Sequence, residues 1–288
     1  MEQQRTVNAN GLPLPALGQG GWNIGDDPAR AKSETEALLR GLDLGLTLID
    51  TAEMYGSGRS EHLIGNALRG RQREDLQLVS KVLPQNAGRR NIFLSCEDSL
   101  QRLQTDYLDL YLLHWRGPVP LRETVECMET LVRQGKIKRW GVSNFDTADM
   151  EELWRVPGGE NCAADQVLYN LGSRGIEFDL LPWLAAHNVA AMAYCPVAQA
   201  GALERMHPDF FQSQTLTAVS KKYGVTVIQL LLAFTLKNPG VIAIPKSGNP
   251  RHTEQNAAVL NLRVSDADWA LIDREYWPPT AKMHLDIE

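Results

Sequence analysis

The fold class this sequence predicts is α/β, a (β/α)8 TIM barrel, and three observations predict it. Residues with active-site chemistry (Asp50, Lys81, His114, Asn144, Gln166, Tyr194 and Lys246) recur roughly every 25 to 35 positions through most of the chain, nearly all at the downstream end of a short apolar run. A barrel of parallel strands assembles its active site from the loops at those carboxyl ends. The 288 residues suit one barrel, for which ~250 is usual, so a single domain over residues 1–288 is expected. The competing topology is a doubly wound sheet. It needs a GxGxxG pyrophosphate turn after its first strand, and Gly18-Gln19-Gly20-Gly21 lacks the last glycine of that pattern and the helix opening.

The elements follow in order. Residues 6–16 read as a β-hairpin, because Asn10-Gly11 supplies the positive backbone angles of a tight turn between Val7 and Leu12 to Leu14; such a hairpin plugs the barrel floor. After the strand-like Leu17-Gly18-Gln19, Asp27 followed by Pro28 reads as a helix start, with Ala31, Leu38 and Leu42 on one face and Gly45 at the end. Thr47 to Asp50 is short and apolar, as a strand buried on both sides must be. The cycle repeats through a strand at 76–81, a helix at 90–103, a strand at 108–114 and a helix at 121–134 closed by Gly135. A strand Trp140 to Ser143 follows, and Asp146 with Asp149 three residues on forms a capping box for the next helix. Strands at 164–168 and 189–194 flank a helix at 177–187. The connection from Pro196 to Gln214, the long loop after strand seven, has little periodicity; loops of that length in a compact fold tend to be functional, and this one is a candidate cofactor cover. Helices at 215–223 and 226–238, a last strand at 241–244, helices at 250–258 and 266–275, and an irregular tail complete the chain.

Composition narrows the function. The formal charge of −6 disfavours broad nucleic-acid or anionic-membrane binding, although it leaves room for a local basic pocket. The amino terminus carries no signal-peptide stretch, and apolar runs such as Leu230 to Phe234 are far too short to span a bilayer, so a cytoplasmic location is expected. Cys96, Cys127, Cys162 and Cys195 show neither CxxC nor metal-ligand spacing and read as buried or partly buried free thiols, with no metal. A monomer or weak oligomer is expected.

Four of the recurrent polar residues form a set suited to proton transfer beside hydride transfer: Asp50, Tyr55 in the loop after it, Lys81 and His114. Reducing a carbonyl requires a hydride to carbon and a positioned acid for the oxygen as negative charge develops there. A phenol ordinarily titrates near ~10, while an ammonium ~4 Å away at an effective dielectric of ~20 contributes about 4 kcal/mol. Lys81 beside Tyr55 is therefore expected to bring the phenol toward neutrality, with Asp50 partly offsetting the lysine and His114 hydrogen-bonding the carbonyl oxygen.

The motifs themselves resemble the aldo-keto reductase family over nearly the full chain. Leu48-Ile49-Asp50-Thr51-Ala52-Glu53-Met54-Tyr55-Gly56 is similar to the family signature of an Asp and a Tyr five residues apart. Ser80-Lys81, Asp106 to Trp115 around His114, Gly135 to Phe145, and Ile244-Pro245-Lys246-Ser247 match further family motifs in order. The resemblance implies Asp50, Tyr55, Lys81 and His114 as the catalytic tetrad. Ser143, Asn144 and Gln166 would bind a nicotinamide carboxamide, Tyr194 would stack on its ring, and Cys195-Pro196-Val197 would run along the pyrophosphate, with Cys195 standing where Ser is common. Gly21 and Trp22 are assigned to the same cofactor site. Lys246 and Ser247 would meet an adenosine 2′-phosphate; His252, beside Arg251, stands where an Arg is common, and Gln255-Asn256 where Glu-Asn would meet the adenine. NADPH is thus the implied cofactor, with NADH weaker.

Trp22, Met54 and Trp115, with Tyr55 and His114, would bind the small carbonyl substrate, and the tail after Tyr276 would form another wall. Within the family the match, including Glu53-Met54 and Asn170 to Glu177, resembles bacterial methylglyoxal reductases most. That implies small aldehydes and α-oxoaldehydes such as methylglyoxal. The alternative is a cofactor-loaded redox-sensing or regulatory subunit on the same fold.

Overall fold

A computed structural model describes residues 4–197 and 210–287. The chain opens with an antiparallel hairpin, β1 (Thr6–Ala9) and β2 (Leu12–Pro15), whose turn places Asn10 and Gly11 at φ 45° and 85°. Eight parallel strands follow, each paired with its sequence neighbour: β3 (Gln19–Gly20), β4 (Leu48–Asp50), β5 (Gln77–Val82), β6 (Leu108–Leu113), β7 (Ile137–Ser143), β8 (Ala164–Leu168), β9 (Ala190–Tyr194) and β10 (Val241–Ala243). Parallel bridges from Leu17 to Ala243 and from Gly20 to Lys246 join the last strand to the first, so the sheet closes into the expected barrel.

Helices alternate with the strands as the barrel requires: α1 (Ala31–Asp43), α2 (Arg59–Ala67), α3 (Ile92–Leu103), α4 (Leu121–Arg133), α5 (Thr147–Trp154), α6 (Leu180–Ala186), α7 (Gln214–Tyr223), α8 (Val227–Leu236), α9 (Pro250–Ala258) and α10 (Asp266–Glu275). Three element starts differ from expectation by three residues or more, each for a local reason. α1 begins at Ala31, because the Asp27 carboxylate accepts the Ala29 N–H and its carbonyl the Arg30 N–H, making Asp27-Pro28 a turn ahead of the helix. β7 starts at Ile137, earlier than its apolar signal, because Lys138 and Arg139 find partners in Asp109 and the Asn10 carbonyl. α6 starts only at Leu180, after a 3-10 turn at Gly175–Glu177. The candidate cofactor cover falls mostly on residues 198–209, outside the described residues.

Strand side chains alternate between two layers, as period-two geometry dictates. Ile49, Leu78, Val82, Tyr111, Leu113, Val142 and Val167 face outward into the cluster shared with the helices. Leu48, Val79, Leu110, Leu112, Ala164, Met192 and Ile242 face inward, joined from below by Val7, Ala9 and Leu14 of the hairpin, which is therefore a floor plug. Cys96, Cys127, Cys162 and Cys195 are all buried. No single described helix is long and apolar enough to cross a membrane; α7 and α8 together have the length, but they are bent by 87° and α8 is largely core.

Candidate active site

The alternation that fills the barrel also builds its mouth. Two residues beyond inward-facing Leu48 stands Asp50, and the same step leads from Val79 to Lys81, from Leu112 to His114, from Ala164 to Gln166, from Met192 to Tyr194 and from Ile244 to Lys246. Each polar residue is thus the next inward position at the carboxyl end of its strand. Tyr55 joins them from the loop after β4, where Gly56, Ser57 and Gly58 take successive positive φ values of 57°, 55° and 88° and fold the chain back. Glycine at positions 56 and 58 adopts these positive angles without the strain a side chain would bring.

Lys81 is the hub. Its fully buried Nζ donates to Asp50 Oδ2 at 2.8 Å, to the Thr51 carbonyl at 2.7 Å and to Tyr55 Oη at 3.0 Å, using all three ammonium hydrogens. Because the ammonium donates to the phenol oxygen, the phenolic proton is left for another acceptor. The other Asp50 oxygen, Oδ1, accepts Gln166 Nε2 at 2.7 Å. The His114 ring lies edge-on to Tyr55, centroids 5.7 Å apart, and 4.8 Å from the Trp115 ring. Its Nδ1 is buried and has no hydrogen-bond partner among the described residues.

Electrostatics assign each group a charge state, and one differs from expectation. Burial raises the Tyr55 phenol above its ordinary value; the Lys81 charge pulls it down without cancelling burial, and Asp50 raises it further. The expectation that Lys81 brings the phenol toward neutrality is thus corrected: removing a phenolate from water costs more than one partly neutralised ammonium returns. Tyr55 is a firmly protonated acid. Burial opposes the charge on Lys81, but Asp50 and Tyr55 outweigh it and its pKa is raised, so it stays an ammonium. Burial, aided by Lys81, lowers His114 to about 3, leaving a neutral imidazole with one N–H to donate.

A second group lies beside the first. Asn144 sits at φ 60°, a left-handed conformation that asparagine tolerates. Its Nδ2 donates to the His114 carbonyl and to Ser143 Oγ, both at 3.2 Å, and its Oδ1 accepts Tyr194 Oη at 2.8 Å. Ser143 Oγ donates to the Gln166 carbonyl at 2.7 Å. The ring of half-buried Tyr194 is therefore pinned by its hydroxyl, and Ser143, Asn144, Gln166 and Tyr194 form one network with Asp50, Lys81, Tyr55 and His114. Gly21 donates its N–H to the Asp50 carbonyl at 2.7 Å. Cys195 takes φ 49° and its carbonyl accepts Asn170 Nδ2, while the Pro196 carbonyl accepts Thr235 Oγ1. Val197 packs against the apolar cluster of Leu17 and Leu232.

The remaining candidates are more dispersed. Met54 and Trp115 are exposed, and Trp22 is half-buried two residues past β3. Lys246, paired through its backbone to Gly20, is half-buried, and the Ser247 hydroxyl donates to the Asn249 carbonyl just ahead of α9. His252 is exposed in the first turn of α9, with Gln255 and Asn256 one turn on. The tail is anchored to the loop after β8, where Ser173 donates to Asp286 and Lys282 pairs with Asp179 at 3.0 Å.

Sequence reasoning missed several parts. Glu53 Oε1 accepts the Leu83 N–H at 2.7 Å and Asn86 Nδ2 at 3.1 Å, tying the loop that carries Tyr55 to the loop after Lys81; an acidic residue two before the tyrosine was the available signal. The Gln166–Asp50 and Tyr194–Asn144 bonds had none, since each joins strands distant in sequence. Neither had the proximity of Arg30 to Lys246.

Residues 16–276 match the model of the Aldo/keto reductase family. The chain is 50% identical to methylglyoxal reductase YeaE of Escherichia coli over 286 residues, 99% of each protein, and 29% identical to an NADH-specific methylglyoxal reductase of the same species over 91% of this chain and 94% of that one. A crystal structure of an aldo/keto reductase from Klebsiella pneumoniae in complex with NADP and acetate superposes with a TM-score of 0.95 at 51% identity, covering 99% of this chain and all of that one. A second structure from that species, in complex with NADPH, gives 0.93 at 51% identity, covering 99% of both chains. The chain belongs to the aldo/keto reductase family.

Proposed function

We propose that this protein reduces small aldehydes and α-oxoaldehydes such as methylglyoxal to alcohols, with NADPH as hydride donor and Tyr55 as proton donor, residues 1–288 acting as one unit. The observation that carries the reading is the contact of the buried Lys81 ammonium with both Asp50 and Tyr55 at the barrel mouth. The likeness to the Escherichia coli methylglyoxal reductase over the full chain supports the substrate class.

The residues present fit the cofactor. Tyr194 offers a pinned aromatic ring, with the Asn144 and Gln166 amides and the Ser143 hydroxyl beside it. At the far end Lys246 is a half-buried cation whose pKa is lowered, by burial first and by Arg30 next, so an anion there relieves an existing cost. Lys246 and Ser247 would hold the 2′-phosphate, with His252, Gln255 and Asn256 nearest the adenine. Gly21, Trp22, Asp50, Cys195, Pro196 and Val197 would line the path between the two ends. When bound, the nicotinamide supplies the hydride.

The protein's own part is proton transfer and orientation. Tyr55 holds a proton that burial keeps on the phenol until negative charge grows on the carbonyl oxygen. Lys81 then stabilises the phenolate as it forms, and Asp50, braced by Gln166, keeps the ammonium in place. Neutral His114 donates its single N–H to the same oxygen, which orients the carbonyl and offsets its charge. Trp22, Met54 and Trp115 form the apolar surround.

Replacing Tyr55 by Phe removes the acid and leaves the cofactor site. Methylglyoxal turnover is expected to fall ~10²-fold or more, with NADPH still quenching protein fluorescence at its wild-type Kd. A variant that keeps more than about a tenth of wild-type turnover, against that expectation, is incompatible with Tyr55 as donor. Steady-state rates of the unmodified protein on methylglyoxal and simple aldehydes, with NADPH and with NADH, test the substrate and cofactor assignments together.

A further inference from the structure

Lys246 does not stand alone. Closing the barrel brings the loop after β3 beside the loop after β10, and Arg30, at the start of α1, arrives over the Lys246-Ser247-Gly248 turn. A Cβ added at Gly248 would lie 3.3 Å from Arg30 Nη2 and 3.0 Å from Glu34 Cγ, which places the guanidinium directly on this turn. Further along, Arg40 Nε meets Glu254 Oε1 at 2.7 Å and fastens α1 to α9.

Two cations beside one helix N-terminus are an electrostatic liability. Arg30 is near enough to Lys246 to disfavour its charge, and the first turn of α9, capped by Asn249 and opened by Pro250, adds the positive end of a helix dipole. The carboxylates nearby are partly committed elsewhere. Asp26 is bonded to Arg59 at 2.7 Å. Glu34 accepts the Gly25 N–H through Oε2 at 2.9 Å, and its Oε1 faces Arg30 Nε at 3.7 Å, beyond hydrogen-bond range. Glu34 Oε1 is buried with no hydrogen-bond partner among the described residues, and the Arg30 side chain is about half exposed. The guanidinium is thus held in position by charge while its donors remain available. A phosphate dianion on this turn would turn the mutual repulsion of Arg30 and Lys246 into two attractions.

We propose that Arg30 is a specificity-determining residue for the cofactor, supplying the second cation for the adenosine 2′-phosphate that the chain lacks at position 252, with Glu34 as the residue that positions it. The proposal rests on the reading that NADPH is the hydride donor. His252 is an exposed imidazole on α9, whereas a guanidinium offers paired donors that match phosphate oxygens. The recognition element is accordingly moved from α9 to α1.

The test is a binding measurement independent of turnover. NADPH, NADH, adenosine 2′,5′-bisphosphate and adenosine 5′-monophosphate are titrated by fluorescence or calorimetry against the wild-type protein, Arg30→Ala and Arg30→Gln. Both variants are expected to bind NADPH and the bisphosphate about tenfold or more weakly, the loss of one charge-assisted contact. NADH and the monophosphate are expected to keep their affinities within about twofold, since they lack the 2′-phosphate. That unchanged pair also shows that the variants fold. Equal weakening of all four ligands would mean that Arg30 acts through the fold, and would overturn the proposal. So would wild-type affinities in either variant while the wild-type protein prefers NADPH. If the wild-type protein itself binds NADPH and NADH alike, the NADPH reading fails first and the role of Arg30 falls with it.

Discussion

At His114 burial decides chemical role, and the decision leaves a thermodynamic trace. The ordinary imidazole pKa of ~6.5 is lowered to about 3 in the fold, by burial and by Lys81. Between those values the unfolded chain binds a proton that the folded chain refuses. The stabilisation is therefore fully present above the unfolded value and is lost progressively as pH falls toward 3, with a slope of at most ~1.4 kcal/mol per pH unit. His114→Gln, which cannot protonate, is expected to flatten the dependence of unfolding free energy on pH between 6 and 4 relative to wild type. Parallel urea-unfolding series giving the same slope for both proteins would show that His114 ionises freely in the folded state. The identity of this residue was legible in the sequence, as were Asp50, Tyr55 and Lys81, because each ends an apolar run or follows one closely. Its neutral state was not legible, nor was the raised pKa of Tyr55. Both depend on depth below the surface, which no local spacing encodes. Arg30 was invisible for a related reason, since only ring closure makes a residue after β3 the neighbour of one after β10.

Elements were read well where capping chemistry or period-two alternation marked them, and less well where tertiary partners did the work. The capping box at Asp146 and Asp149 and the strand at 164–168 appear as expected. The first residues of β7 were missed because Lys138 and Arg139 look like loop residues until Asp109 and the hairpin are in place. α10 shows the same dependence on partners. Asp268 in its first turn accepts Lys222 Nζ at 2.7 Å, Tyr223 Oη at 2.5 Å and Ser265 Oγ at 2.5 Å, clamping α10 to α7. Hydrogen bonds from Lys222, then Ser265 and Tyr223, hold its carboxyl down at about 2. A depressed carboxyl stabilises the fold above its unfolded value of ~3.9, and that contribution is lost as pH falls through 2. Asp268→Asn is expected to lower the urea midpoint at pH 7, with the gap from wild type narrowing below pH 4. A gap of the same size at pH 7 and pH 3 would mean that the clamp acts by packing and not by charge.

The barrel as a whole is unevenly knit. β5, β6 and β7 run six, six and seven residues, whereas the ring is completed by β3 of two residues and β10 of three. The seam between them rests on few backbone bonds, among them Gly18 N–H to the Ala243 carbonyl at 2.8 Å, Gly20 N–H to the Pro245 carbonyl at 3.0 Å and Ala243 N–H to the Ala16 carbonyl at 2.8 Å. Stability is not uniform in a fold, and segments with few ladder bonds open at lower free energy than the core. The proposed cofactor spans this seam, reaching from Asp50 on one side to Lys246 on the other, with Arg30 and the Lys246 turn converging on its phosphate. A ligand that binds the closed ring and not the opened one stabilises closure in proportion to its occupancy. Native-state hydrogen exchange is therefore expected to show the amides of Gly18, Gly20 and Ala243 exchanging faster than those of Leu110 and Leu112 in the cofactor-free protein. Saturating NADPH should slow the seam amides selectively. Seam amides already as protected as those of β6 without cofactor would show that the short strands close the ring as firmly as the long ones, and that NADPH binds to a barrel with nothing left to tighten.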